Sequence, residues 1–147
     1  MSTYLIKHLK VEDFNKGYVD LLSQLSSIDK DLFLSDQFKI FIDELPSNHF
    51  IFVINDIEKN KIVGSGTIII ERKIIHNFKN VGHIEDIVVD NNYRGAGLGK
   101  MIINYLLDFA EKNNCYKTIL TCSNENIGFY EKLGFTKKDN FMARYIK

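Results

Sequence analysis

The chain has 147 residues, of which 45% are hydrophobic and 26% charged, and these values fit a single globular domain over residues 1–147. Nineteen Lys and Arg residues balance nineteen Asp and Glu residues, so no overall positive field favours nucleic acid or an anionic membrane as partner. Charges interrupt the N-terminal residues and no apolar run reaches membrane-spanning length, so a cytoplasmic protein is expected. The two cysteines, Cys115 and Cys122, have no metal-ligand spacing, so no metal is expected.

The N-terminal half is predicted to form one strand, two helices and a β-hairpin. Alternation of apolar residues indicates a strand over Tyr4–His8, and apolar residues at helical spacing indicate a helix over Val11–Leu25. Ser35 is placed to cap a second helix over residues 35–45. Two β-rich runs joined by a polar turn predict the hairpin, with strands over 50–55 and 62–72.

The C-terminal half is predicted to alternate strands and helices. The pattern indicates a strand over 83–89, a mostly buried helix over 97–112, a strand over 117–122, a short helix over 127–133 with Gly134 at its end, and a closing strand over 141–146. The complete order is one strand, two helices, three strands, then helix, strand, helix, strand. This order predicts an α+β fold.

A glycine-rich stretch, "YRGAGLGK" at residues 93–100, follows the predicted strand over 83–89 and opens the predicted helix. Its spacing fits neither the P-loop nor the dinucleotide-binding fingerprint. A strand that leads through a glycine-rich turn into a helix nevertheless points backbone N–H groups and the positive helix end at one place. Gly95, Gly97 and Gly99 leave room for an anion, and Arg94 and Lys100 add positive charge, so this turn is predicted to bind a phosphate. A glycine-rich turn without a ligand is the alternative.

The pattern Arg-x-x-Gly-x-Gly at Arg94, Gly97 and Gly99 resembles the acetyl-CoA pyrophosphate loop of the GNAT acetyltransferase superfamily. Together with "IIIERKIIHN", "GHIEDIVVD" and "NNCYKTILTCSNENIGFYEKLGF", it resembles more specifically the glucosamine-6-phosphate N-acetyltransferase family, over most of residues 66–135. The resemblance implies a mixed, mostly antiparallel sheet of about six strands with helices on both faces. It also implies direct acetyl transfer from acetyl-CoA to the 2-amino group of D-glucosamine 6-phosphate in a ternary complex, a step of UDP-N-acetylglucosamine biosynthesis.

The same resemblance implies the residues that bind acetyl-CoA. Backbone groups of the strand would hold the pantetheine arm and polarise the thioester, the glycine-rich loop would hold the pyrophosphate, and Asn126 would hold the cofactor arm. Tyr130 would stabilise or protonate the departing CoA thiolate, and its alternative role is that of a core tyrosine. The implied cofactor-binding residues are Ile87, Val88, Val89, Arg94, Gly95, Ala96, Gly97, Leu98, Gly99, Lys100, Asn126 and Tyr130.

On the acceptor side, Glu85 and Asp86 are the candidates for the residue that takes the proton of the sugar ammonium. Because strand side chains alternate between faces, only one of the two is expected to face the amine directly. The implied substrate-binding residues are Ser26, Lys73, Ile74, Ile75, His76, Glu85, Asp86 and Thr121. Lys73 could equally be a solvated hairpin lysine, and His76 a turn histidine.

Two positions depart from the family pattern, because Thr121 stands where the family often has aspartate and Tyr145 where it has arginine. Arg144 lies one residue earlier, which in a strand is the opposite face. Acetylation of another small amine or of a protein amino group, and a non-catalytic acyl-CoA sensor, therefore stay as alternatives. The resemblance further implies a homodimer in which the closing strand contributes to the partner's site.

Overall fold

The computed structural model describes residues 3–146 and contains one five-stranded sheet with helices on both faces. The strands are β1 (Tyr4–His8), β2 (His49–Asp56), β3 (Lys61–Arg72), β4 (Asn80–Val89) and β5 (Cys115–Ile119). The helices are α1 (Tyr18–Ser23), α2 (Ser35–Asp43), α3 (Leu98–Lys112) and α4 (Ile127–Glu131). Within residues 3–146, no helix is long and apolar enough to cross a membrane.

The sheet is mixed and mostly antiparallel, as predicted. Its strands follow chain order, β1 to β4 pair antiparallel, and β5 pairs parallel to β4 after the crossover through α3. A parallel neighbour requires such a crossover because both strands must run in the same direction. The predicted order of elements is therefore confirmed from β1 to α4.

The predicted closing strand is wrong for the single chain. Residues 141–146 form no strand, and four large apolar side chains among them are exposed by 73% to 99%: Phe141, Met142, Tyr145 and Ile146. The apolar pattern indicates a segment suited to burial, but a strand forms only where a neighbouring strand supplies hydrogen bonds, and no strand within residues 3–146 pairs with it. The sheet therefore has five strands instead of six.

Two details of the predicted N-terminal helices are also corrected. The expected helix over 11–25 is a 3₁₀ turn over Val11–Asn15 followed by α1, because Gly17 between them has a φ of 79°. A left-handed residue interrupts a helix, and glycine adopts it at little cost. Ser35 is the first residue of α2 and does not cap it, since Leu34 occupies the cap position with no side-chain hydrogen bond.

The sheet is packed between two apolar clusters. The side that α3 and α4 cover contains residues such as Phe52, Ile68, Ile102, Leu106 and Tyr130. The side that α1 and α2 cover is built from Leu9, Tyr18, Leu21, Phe38, Ile51, Val53, Ile62 and Val88. Burial on both faces fixes the position of the central strands, including β4, which carries the candidate site residues.

β4 contains a β-bulge at Asp86 and separates from β5 beyond it. On β3, Ser65 lies opposite Val88 and Thr67 opposite Glu85, so two steps along β3 match three along β4. Asp86 has a φ of 51°, in the left-handed region. The pairing of β4 with β5 ends at His83, so the residues of β4 after the bulge have a strand neighbour on one side only.

Candidate functional site

The turn between β4 and α3 is fixed at its start by Asp90. The side chain of Asp90 is buried, accepts a hydrogen bond from the Asn92 N–H at 2.9 Å and pairs with Lys61 Nζ at 3.1 Å. Burial raises the pKa of the Asp90 carboxyl, but the Asn92 hydrogen bond and the Lys61 ammonium outweigh it and hold the pKa below its ordinary value. Tyr93 adds a hydrogen bond from its hydroxyl to Asp56 at 3.0 Å. The turn is thus anchored to β2 and β3 before the glycines begin.

The glycines of this turn have two different roles. Gly95 and Gly97 have φ values of 87° and 78°, and a Cβ at either position would meet no atom within 4 Å, so this backbone is open to a ligand. Gly97 is the N-cap of α3, where the first N–H groups of the helix have no acceptor within it. A Cβ on Gly99, in contrast, would lie 3.3 Å from the ring of Phe129. Gly99 therefore lets α4 pack closely against the start of α3.

α4 places Tyr130 beside that helix start and has Asn126 at its own N-terminus. Tyr130 is 9% exposed and belongs to the cluster that contains Leu98, the first residue of α3. Burial, with a smaller contribution from Cys122, raises the pKa of the Tyr130 hydroxyl, so the group keeps its proton at neutral pH. Asn126 is the N-cap of α4 but makes no capping hydrogen bond, so its exposed amide is available to a ligand.

The end of α4 follows its prediction. Gly134 has a φ of 93°, and the N–H of Phe135 donates to the Tyr130 carbonyl at 3.1 Å, which closes the helix in a Schellman arrangement.

The bulge changes which face of the sheet the two acidic side chains of β4 point to. Strict alternation would place Ile84 and Ile87 on opposite faces, yet both pack into the cluster on the α3 side. Glu85 lies opposite Thr67, and Thr67 and Asp86 both line a cavity on the α1–α2 side. The bulge therefore turns both acids to the same face of the sheet. Of the two, Asp86 borders the cavity.

This cavity has a volume of about 380 Å³ and lies between the sheet and the pair α1 and α2. Besides Asp86 it is lined by Thr67, by Ser65, and by Tyr18, whose hydroxyl lies 3.1 Å from Ser65 Oγ. Burial, above all, raises the pKa of Tyr18 to about 12. Sequence reasoning selected none of Tyr18, Ser65 and Thr67 as a site residue. Nothing in the local pattern brings these three residues to Asp86.

The predicted phosphate ligand Lys73 is part of a polar chain on the same face. Lys73 Nζ lies 3.0 Å from Glu71 Oε2, and His83 Nε2 lies 2.8 Å from Glu71 Oε1. The His83 hydrogen bond and then the Lys73 ammonium hold the pKa of the Glu71 carboxyl below its usual range. Neither Glu71 nor His83 was selected as a site residue from the sequence.

The remaining substrate-side candidates lie on loops. His76 has a φ of 57°, and its ring stacks on Tyr116 of β5 at 4.1 Å between centroids. Its neighbours Ile74 and Ile75 are exposed by 81% and 62%. Ser26 follows α1, where its N–H donates to the Leu22 carbonyl, and Thr121 is exposed just after β5. Within residues 3–146, neither Ser26 nor Thr121 forms a side-chain hydrogen bond with another candidate residue. Within the described residues, no group of three His, Cys, Asp or Glu side chains could hold a metal ion.

Comparison with known proteins agrees with this arrangement. The sequence model of the acetyltransferase (GNAT) family matches residues 8–135. A glucosamine 6-phosphate N-acetyltransferase of Arabidopsis thaliana is 38% identical, with 99% of this chain and 98% of that protein aligned. Glucosamine 6-phosphate N-acetyltransferase 1 of Dictyostelium discoideum is 40% identical over 94% of this chain and 88% of its own length. The crystal structure of the Arabidopsis enzyme superimposes with a TM-score of 0.92 and 99% coverage of both chains.

Replacement of Gly97 by aspartate tests the glycine-rich turn as an anion site. Gly97→Asp puts a carboxylate where the pyrophosphate of acetyl-CoA would approach the helix start. Since two like charges about 4 Å apart repel by about 4 kcal/mol near a protein surface, we expect acetyl-CoA affinity to fall at least about a hundredfold. Isothermal titration calorimetry measures this affinity.

Gly134→Asp is the matched control, because Gly134 also has a positive φ and open space around its Cβ position but ends α4. Its acetyl-CoA affinity should match that of the parent. Equal affinities in both variants would show that the turn over 94–100 does not bind the pyrophosphate.

Proposed function

The chain belongs to the GNAT acetyltransferase family and, within it, to the glucosamine 6-phosphate N-acetyltransferases, and from this membership we propose its reaction. It transfers the acetyl group of acetyl-CoA to the 2-amino group of D-glucosamine 6-phosphate, and the products are N-acetyl-D-glucosamine 6-phosphate and CoA. The observation that carries the proposal is the near full-length match to enzymes of that name, at 38% identity over 99% of this chain for the Arabidopsis enzyme.

The open turn and the open edge of β4 fit acetyl-CoA as the acetyl donor. When bound, acetyl-CoA supplies a thioester whose carbonyl carbon the amine attacks. The exposed N–H groups around Gly95 and Gly97 and the positive start of α3 suit a pyrophosphate, and Arg94 and Lys100 are exposed beside them. Backbone groups of Ile87–Val89 have no β5 partner, so they are free to hold the pantetheine arm and to polarise the thioester carbonyl.

Asp86 takes the proton that the sugar ammonium must lose before its nitrogen can attack. Its carboxylate borders the cavity directly before Ile87, the first of the backbone groups assigned to the thioester. Glu85 is turned to the same face and adds negative charge that favours a cationic amine nearby. Proton transfer through one intervening water would serve equally well.

Tyr130 donates a proton to the departing thiolate of CoA. A phenol that is buried beside the start of α3, with its pKa raised, is protonated at neutral pH and can act as a general acid. Asn126, with a side chain that caps no helix, holds the cofactor arm between this tyrosine and the glycine-rich turn.

The phosphate of the sugar is bound at the opposite end of the acceptor face by Lys73, with the segment Lys73–His76 and the hydroxyls of Ser26 and Thr121 around the sugar. The contact of Lys73 with Glu71 at 3.0 Å uses one of the three donors of the ammonium, so donors remain for phosphate. His83 holds the other Glu71 oxygen, which limits the movement of Glu71 and thereby of Lys73.

The phosphate contact predicts a strong preference for the phosphorylated sugar. Each hydrogen bond to a charged group contributes about 1.5 to 3 kcal/mol, so two or three should favour glucosamine 6-phosphate over glucosamine by about a hundredfold or more in kcat/KM. Lys73→Ala should reduce this ratio by about tenfold or more, mainly by weakening the reaction of the phosphorylated sugar. Release of the CoA thiol measures both rates.

Lys79→Ala is the control for this experiment, because Lys79 is an exposed lysine of the same β3–β4 connection that we place outside the site. It should leave the ratio unchanged. Equal kcat/KM values for the two sugars in the parent would refute the proposed substrate and favour another small amine, with Thr121 and Tyr145 as the residues that differ from the family.

The proton-transfer residues are tested by conservative variants. Tyr130→Phe keeps the packed ring and removes the hydroxyl, so kcat should fall about a hundred- to ten-thousand-fold with acetyl-CoA affinity preserved. Tyr105→Phe, at an exposed position of α3, is the control and should have parental kcat. On the acceptor side, Asp86→Asn should lower kcat/KM far more than Glu85→Gln. A parental kcat for Tyr130→Phe, measured where chemistry limits turnover, would remove this tyrosine from the mechanism.

The exposed C-terminal segment supports a homodimer in which residues 141–146 contribute to the partner's site. Its apolar side chains are almost fully exposed in the single chain, and contiguous exposed apolar surface of this kind marks interaction sites. β5 pairs with β4 alone, so its other edge is free to accept a strand. Both features suit a second copy of the chain.

Static light scattering at assay concentration should therefore give the mass of two 17.1-kDa chains. Removal of residues 141–147 should lower both the dimer content and the activity. A monomeric mass for the parent, together with full activity, would contradict the dimer.

A further inference from the structure

The cavity on the α1–α2 side is far more apolar than a sugar phosphate requires. Four of its aromatic and aliphatic lining residues come from α1, from α2 and from the cap position of α2, namely Leu22, Phe38, Phe41 and Leu34. Its volume of about 380 Å³ falls in the range of roughly 300 to 1,000 Å³ that small-molecule sites occupy. An apolar ring or chain of a small molecule therefore fits this space.

The polar residues that line this cavity are fewer than the apolar ones, and two of them are paired with each other. The Tyr18 hydroxyl and Ser65 Oγ bond to each other at 3.1 Å. Asp86 makes no ion pair with any Lys, Arg or His side chain within the part of the chain that the structure describes. A carboxylate at the border of an apolar space complements a molecule with one cationic end and an apolar body.

A sugar phosphate cannot use this space well, because each ring hydroxyl that leaves water needs a hydrogen-bond partner, and eight of the thirteen lining residues have aliphatic or phenyl side chains that offer none. Its phosphate is assigned to Lys73, which is not among the residues that line the cavity. We propose that the cavity receives the apolar body of small primary amines, and that the protein acetylates arylalkylamines as a second class of acceptor. This proposal rests on the acetyl transfer proposed above.

The reaction is the same transfer with another nucleophile. The amine nitrogen forms a bond to the acetyl carbonyl carbon, the bond from that carbon to the CoA sulfur breaks, and an amide and CoA result. Asp86 accepts the proton that the ammonium loses, and Tyr130 gives a proton to the thiolate. Because Asp86 borders the cavity and directly precedes Ile87, an amine held there lies beside the backbone groups assigned to the thioester.

The test compares 2-phenylethylamine with ethylamine as acceptors, by CoA thiol release, in the full-length protein. One additional methylene in an apolar pocket is worth about tenfold or more in specificity, so the phenyl ring should raise kcat/KM by at least about tenfold. Leu34→Trp fills the cavity and should remove most of this advantage. Ile57→Trp, at a similarly exposed position of the β2–β3 turn that does not line the cavity, should retain it. Acetylation of glucosamine 6-phosphate should be unchanged in both variants.

The outcomes separate the two proposals. If the parent acetylates glucosamine 6-phosphate but shows no preference for 2-phenylethylamine over ethylamine, the cavity proposal fails and the sugar reaction stands. If it acetylates neither amine nor sugar, both proposals fail. An equal loss of sugar and arylalkylamine activity in folded Leu34→Trp would show that the cavity is not a separate site for the apolar body. Leu32→Trp, at another exposed lining position, replaces Leu34→Trp if circular dichroism shows that the latter does not fold.

Discussion

The separation of β4 from β5 at the bulge is the feature on which the whole site depends. Inside a sheet, backbone N–H and C=O groups are consumed by the neighbouring strands, and a ligand cannot reach them. The pairing of β4 with β5 ends at His83, and the left-handed Asp86 changes the direction of the chain directly afterwards. One local irregularity thereby leaves a backbone edge without a strand neighbour and turns two carboxylates to the same face of the sheet. A regular strand would provide neither.

Packing from both faces holds the bulge in this conformation. On the α3 side, Gly66 has no side chain, and a Cβ there would lie 2.7 Å from Cδ1 of Ile87 and 3.2 Å from Leu106. Because Gly66 lacks this methyl group, Ile87 and α3 can pack against the sheet at the point where the register between β3 and β4 shifts. On the other side, the hydrogen bond between Tyr18 and Ser65 joins α1 to β3 next to the bulge. A left-handed aspartate persists in a strand because its surroundings leave no other position for it.

The chain has no net charge, but its charged residues form separate regions that suit the two proposed substrates. On the donor side, the start of α3 and the exposed Arg94 and Lys100 form a positive region suited to a pyrophosphate. On the acceptor side, Glu85 and Asp86 are negative and suit an ammonium, and Lys73 at the far end suits a phosphate. A substrate with its amine and its phosphate at opposite ends matches this order of charges. Lys73 does not line the apolar cavity beside Asp86, and this difference is the basis for proposing a second class of acceptor there.

The sequence alone determined the features that depend on neighbours along the chain. The strand, the glycine-rich turn and the helix over 83–112 are confirmed, as are the hairpin of β2 and β3 and the glycine that ends α4, because periodicity and backbone conformation are local properties. Family resemblance added the acetyl transfer, and the role of Tyr130 stays a prediction. Tertiary structure decided everything that depends on contacts between distant residues: Tyr18 and Ser65 beside Asp86, Glu71 and His83 around Lys73, and Phe129 against Gly99. It also decided that residues 141–146 form no strand within their own chain. A sequence pattern predicts that a side chain will be buried, but the packing of the whole chain determines which residues it packs against.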